Sequence, residues 1–215
     1  MYKVILFDLD GTLTDSGEGI TRSVQYALEK IGKPEPERQK LNIFVGPPLL
    51  EQFQEYAAID KETAKKAVEY YRERYAPVGI YENELYPGIL EMLEKLKARG
   101  YRLGVASSKP ENFVNTVLEH FHMTSYFDQI VGSKPDGGRT DKTAVIEEAL
   151  LRMGLEKHRN QVIMVGDKEH DVLGARKAGL DCIAVSYGYG TMEELENAHP
   201  LKIVNSTEEL LDFFA

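Results

Sequence analysis

Two aspartates, Asp8 and Asp10, stand one residue apart where an apolar run ends, and Gly11 follows them in the stretch FDLDGTLTDS at positions 7–16. Side chains at i and i+2 of an extended strand share a face, so the two carboxylates are expected to project together, and the glycine to let the backbone turn sharply. Like charges that close raise each other's proton affinity unless a cation neutralises them. Other reactive side chains stand where further apolar runs end. Ser107 and Ser108 close LGVASSKP at 103–110, Lys142 lies in DGGRTDKTAV at 136–145, and Asp167 and Asp171 belong to GDKEHD at 166–171. The set contains acids that call for a divalent cation, hydroxyls that can donate hydrogen bonds, and an ammonium group.

For these residues to meet, the elements carrying them must converge. Apolar runs of strand length occur at 4–9, 103–107, 129–131, 162–165, 182–185 and 203–204. Helical patterns at 110–121, 142–153 and 169–178 separate the later ones. Strands alternating with helices predict an α/β core, a Rossmann-like parallel sheet with helices on both faces. In such a sheet ligands collect at the carboxyl ends of the strands, where all the residues named above would gather. Residues 16–84 read differently, as helices at 19–31, 48–57 and 61–74 with no strand pattern between them. They are expected to form a small all-helical cap domain standing over the carboxyl edge, with residues 1–15 and 85–215 as the catalytic core. The hinges are expected at 15–19 and 81–87. The longest loop of the core is read at 132–140.

The four motifs, in this order and spacing, resemble those of the haloacid dehalogenase superfamily: a DxDGT motif, a Ser/Thr, a Lys, a GDxxxD motif, and a helical cap between the first and second. Within it the chain looks like the phosphoglycolate-phosphatase-like group. There, FVGPPL at 44–49 resembles a Gly-Pro cap segment and YGYG at 187–190 the loop after the fifth strand. The resemblance implies a Mg²⁺-dependent phosphatase. Phosphate monoesters are dianions and repel a carboxylate nucleophile by a few kcal/mol at contact, so neutralising cations must come first. Asp8 and Asp167 offer acidic oxygens suited to Mg²⁺, the backbone carbonyl at Asp10 completes the set in the family, and Asp171 supports it directly or through water. Lys142 supplies positive charge and Ser107 a hydroxyl to the phosphoryl group, with Gly11, Thr12, Ser108 and Gly46 as further expected phosphate or substrate contacts. Asp8 attacks in line, and Asp10 protonates the leaving oxygen, then takes a proton from water. A halide needs no proton to leave, so an acid at position 10 favours phosphate esters over dehalogenation. Lys142 holds the family's register for the lysine, twelve residues before Gly154, with Lys134 and Lys109 as rivals.

The expected substrate is a small phosphorylated metabolite, phosphoglycolate first and a nucleoside 5′-monophosphate next. Phosphomutases share the same motifs. A phospho-receiver-like signalling module is the rival from another class, but an acid–base residue beside the nucleophile would shorten the life of its phosphoaspartate. A net charge of −9 over 215 residues argues against nucleic acid as a partner. The single cysteine, Cys182, lies in an apolar run and reads as a buried, inert thiol of a reducing compartment. No apolar stretch approaches the length of a membrane span, and a cytoplasmic monomer or homodimer is expected.

Overall fold

A computed structural model describes residues 1–134 and 138–215. The chain opens with strand β1 (Val4–Phe7) and a two-residue strand β2 (Thr14–Asp15). A helical segment follows: α1 (Gly17–Lys30), a 3₁₀ stretch (Arg38–Phe44), α2 (Leu49–Ala57), α3 (Lys61–Tyr75) and a short 3₁₀ turn (Gly79–Tyr81). The chain then continues through β3 (Glu84–Leu85), α4 (Ile89–Ala98), β4 (Arg102–Pro110), α5 (Glu111–His120) and β5 (Gln129–Ser133). It ends with α6 (Lys142–Met153), β6 (Val162–Gly166), α7 (Glu169–Lys177), β7 (Asp181–Val185), α8 (Met192–Ala198), β8 (Lys202–Val204) and α9 (Thr207–Phe213).

Six strands pair in parallel in the order β5-β4-β1-β6-β7-β8, which sets β1 in the middle with β4 on one side and β6 on the other. The period of two along each strand feeds two cores. Ile5, Phe7, Ile163, Val165, Ile183 and Val185 pack on one face with α4, α5 and the helical segment, while Val4, Leu6, Val162, Met164, Cys182 and Ala184 pack on the other with α6 and α7. All twelve are buried, and each large aliphatic side chain so placed contributes about 1.5–3 kcal/mol. The expected parallel sheet with helices on both faces is the fold observed.

The structure adds what the sequence pattern did not show. Helices α4, α8 and α9 belong to the sheet's covering layers, and 3₁₀ geometry replaces a regular helix over Arg38–Phe44. The two connections to the helical segment run side by side, because β2 pairs antiparallel with β3 through Thr14–Leu85 and Asp15–Glu84. The segment's side chains, among them Val24, Leu28, Phe44, Phe53 and Tyr75, join the same buried cluster as α4 and α5. Of the loop read at 132–140, residues 135–137 lie outside the described residues. Among those described, no helix is long and apolar enough to cross a membrane.

Candidate active site

The ladder of β1 ends at Phe7, short of the run read to residue 9, yet the Asp8 amide still donates to the Val165 carbonyl at 2.9 Å. Asp8 therefore leaves the sheet beside the end of β6, where Gly166 is the last strand residue and Asp167 follows. Asp8, Asp167 and Asp171 are all buried, and one carboxylate oxygen of each lies within 4.8 Å of the others. Two glycines allow this approach. Gly11 has φ +81°, and a Cβ there would sit 2.1 Å from Asp167 Oδ2; a Cβ on Gly166 would sit 2.2 Å from Asp171 Cγ. Asp171 also accepts the Lys168 amide at 3.1 Å in the first turn of α7, so the ordinary helix-start role and the site role fall on one residue.

Two buried lysines face the first motif, where the sequence reading expected one. Lys142, the first residue of α6, places Nζ 2.9 Å from Asp8 Oδ2 and 2.8 Å from Asp171 Oδ1, and donates to the Ala106 carbonyl at 3.1 Å. Lys109, held as a rival for that place, pairs instead with Asp10, its Nζ lying 2.7 Å and 3.0 Å from the two carboxylate oxygens. Lys134 is exposed. Asp8 and Asp10 therefore carry separate counter-ions. The Asp10 carboxylate stands outside the cluster of three acids, so the expected mutual repulsion of the pair is a minor effect.

Three buried carboxylates with one lysine in direct contact, Lys142, and Lys168 acting on Asp167 from farther off leave negative charge uncompensated. Burial pushes the Asp8 carboxyl up to about 6; Lys142 opposes this, while Asp171 and, more weakly, Asp10 reinforce it. Burial likewise holds Asp167 well above the usual carboxylate range, with Asp171 and Asp8 adding to the effect. Burial works against the Lys142 charge, but the Asp171 and Asp8 carboxylates outweigh it and leave its pKa raised. Hard oxygen donors with excess negative charge are what Mg²⁺ takes, and Asp8, Asp167 and Asp171 fit it as a set.

On the phosphate side, Ser107 is buried and its Oγ accepts the Lys109 amide at 3.4 Å, while Ser108 is half-buried and lines a cavity. Thr12 was expected to face phosphate. Its hydroxyl instead donates to Asp167 Oδ1 at 3.3 Å and its carbonyl accepts Tyr187 Oη at 3.0 Å, so it holds the acid cluster in place. Gly46, at φ +101°, lies against the Lys168 side chain and lines the cavity. The loop after β7 contributes more than its resemblance indicated. The Tyr189 amide donates to Asp167 Oδ2 at 2.8 Å, and its hydroxyl accepts the Gly17 amide at 2.8 Å and donates to Asp15. Glycines alternating with tyrosines at 187–190 were its signal, since a Cβ on Gly188 would meet the Gly11 carbonyl at 2.3 Å.

The cavity, about 380 Å³, opens between this edge and the helical segment. Asp10, Ser108 and Lys109 bound it on the sheet side, and Phe44, Leu49, Val68, Tyr71 and Tyr75 on the other.

This fold and site define a hydrolase that works with clustered acids at the edge of a parallel sheet. The chain belongs to the haloacid dehalogenase-like hydrolases, whose family model matches residues 5–185. It is 47% identical over 199 residues to a 5′-nucleotidase of Pseudomonas aeruginosa, spanning 93% of this chain and 89% of that one. It is 39% identical to the tyrosine-protein kinase PtkA of Mycobacterium tuberculosis over 90% of this chain and 65% of that longer one. Phosphoglycolate phosphatases are also among its relatives, at 29% and 28% identity. The structure of a predicted phosphatase from Clostridium acetobutylicum superposes with a TM-score of 0.96 at 47% identity, covering 100% of this chain and 98% of that one. The protein is a phosphoric monoester hydrolase of this family.

Proposed function

We propose that the enzyme hydrolyses nucleoside 5′-monophosphates through a phosphoaspartate on Asp8, with residues 16–84 acting as a lid on the β2–β3 ribbon. The observation that carries the substrate class is the cavity beside Asp10. Its volume of about 380 Å³ lies in the range of sites for ligands of nucleoside size, and the half-buried Leu49, Leu50, Val68 and Phe113 give it apolar surface for a base. Phosphoglycolate, the first expectation, would leave most of this space unfilled. The nucleotidase relative supports the same ordering.

Mg²⁺ held by Asp8, Asp167 and Asp171 would supply the positive charge that lets a carboxylate approach a phosphate dianion. The residues of this chain do the rest. Leu9 donates its amide to Asp8 Oδ1 at 2.8 Å, which fixes one oxygen while Oδ2 stays by Lys142 as the attacking atom. Lys142 and the Ser107 hydroxyl neutralise and orient the phosphoryl oxygens. Attack by Asp8 forms the Asp–O–P bond as the P–O bond to the nucleoside breaks. Asp10 gives the leaving 5′-oxygen its proton, then takes one from the water that attacks phosphorus and frees Asp8. The test is a panel of nucleoside 5′-monophosphates and phosphoglycolate assayed with Mg²⁺ for released phosphate. We expect kcat/KM for the preferred nucleotide to exceed that for phosphoglycolate by about tenfold or more. A phosphoglycolate value equal or higher overturns the substrate assignment.

A further inference from the structure

Lys109 is a buried cation that the mechanism above does not use. It stands two residues beyond Ser107 on β4, and both are buried while Ser108 between them is half-exposed. The pairing of β4 with β5 is regular through Ala106 and resumes at Pro110 after a register shift. Ser107, Ser108 and Lys109 therefore sit on an irregular stretch, of the kind that re-aims side chains next to active sites. The consequence is specific. Lys109 Nζ reaches both oxygens of Asp10, at 2.7 Å and 3.0 Å, and lies 4.9 Å from the centre of the Tyr75 ring. Lys109 is 8% exposed and Asp10 6%. Removing an ammonium from water costs several kcal/mol, so its placement needs these partners: the carboxylate and, from the helical segment, an aromatic face. Among the described residues, Lys109 is the side chain that hydrogen-bonds the Asp10 carboxylate, whereas Asp8 is held by the Leu9 amide and by Lys142.

We propose that Lys109 is the positioning residue for Asp10. By gripping both carboxylate oxygens it fixes the direction in which Asp10 meets the leaving oxygen, and Tyr75 ties that grip to the helical segment over the site. The inference rests on the assignment of Asp10 as the acid–base residue. It extends that assignment by adding a residue that acts through Asp10 and not on the phosphoryl group.

Lys109→Met keeps the length of the side chain and removes the charge, and Lys109→Arg keeps the charge. With a nucleoside 5′-monophosphate, Lys109→Met should lower kcat about 10- to 100-fold, the cost of a misplaced group, with KM changed less than about threefold. Lys109→Arg should recover part of the loss. With 4-nitrophenyl phosphate, whose leaving group departs without a proton, formation of the phosphoenzyme in a single turnover should be nearly unaffected. In an Asp10→Asn background, adding Lys109→Met should cause little further loss, because the two residues act as one unit. Melting curves of each variant establish that the protein compared is folded, and Lys109→Arg carries the test if Lys109→Met does not fold. The proposal is overturned by full activity of Lys109→Met, by an equal loss with both leaving groups, by a rise in KM alone, which would place Lys109 on the substrate, or by losses that multiply with Asp10→Asn. The underlying assignment is checked separately. If Asp10→Asn alone shows the leaving-group dependence and Lys109→Met does not, Asp10 stands and only the role of Lys109 falls.

Discussion

The two aspartates of the first motif look alike in the sequence and differ in their surroundings. Asp8 shares its space with Asp167, Asp171 and Lys142, while Asp10 is turned toward Lys109. The residue types were legible because acids and a serine end successive apolar runs and a lysine opens the helix that follows another. Which lysine serves which acid was not, because that depends on where β4 and α6 come to rest and not on spacing along the chain. The electrostatics yield opposite predictions for two neighbours. A carboxyl raised by burial favours folding in its neutral form. Its unfavourable contribution is absent below the ordinary Asp pKa of about 3.9, grows as the pH rises toward the folded value of about 6, and is constant above it. Without divalent cation at pH 7.5, Asp8→Asn should therefore abolish turnover yet melt at or above the wild-type temperature, and this advantage should vanish by pH 4. Lys142→Met removes the counter-charge of two buried acids and should destabilise by about 3 kcal/mol or more at pH 7.5, a drop of roughly 6 °C or more for a chain of this size. Calorimetry of both variants checks the pair. A lower melting point for Asp8→Asn than for Lys142→Met would contradict the reading.

At the scale of elements, the core strands and the helices between them were readable from apolar periods, and α5, α6 and α7 lie within a residue or so of the expected spans. The β2–β3 ribbon was not, since two-residue strands have no period to read. Nor was the grip of the 186–191 loop on Asp167, because a close approach between distant glycines is a property of the packed molecule. That approach can be tested directly. On Gly188 a Cβ would lie 2.3 Å from the Gly11 carbonyl and 2.4 Å from Asp167 Cβ, so Gly188→Ala must push the loop and Asp167 apart. The Mg²⁺ concentration for half-maximal activity should rise about 10- to 100-fold, the range found when partners of metal ligands are disturbed. An unchanged Mg²⁺ dependence would show that the loop does not position Asp167.

At the scale of the whole molecule, the helical segment and the sheet edge enclose one cavity that reaches Asp10, and the acid cluster lies at the same edge. Chelation with EDTA should stop turnover, and Mg²⁺ should restore it. Mg²⁺ at about 100 times its dissociation constant should also stabilise the folded protein by about 2.7 kcal/mol, an effect absent from a variant lacking Asp167. The likeness to a tyrosine kinase gives a sharper test of class. A phosphatase releases one inorganic phosphate for each substrate consumed, whereas a kinase reading requires a phosphoryl group recovered on a tyrosine.

Covalent transfer through Asp8 is the central step of the proposed reaction. The most direct measurement is acid quenching during turnover of a radiolabelled nucleoside 5′-monophosphate, followed by peptide mass spectrometry. The expected result is one acid-stable, hydroxylamine-labile phosphoryl group on the peptide containing Asp8, absent from Asp8→Asn. Steady turnover with no covalent phosphate, or phosphate attached to another residue, would contradict it.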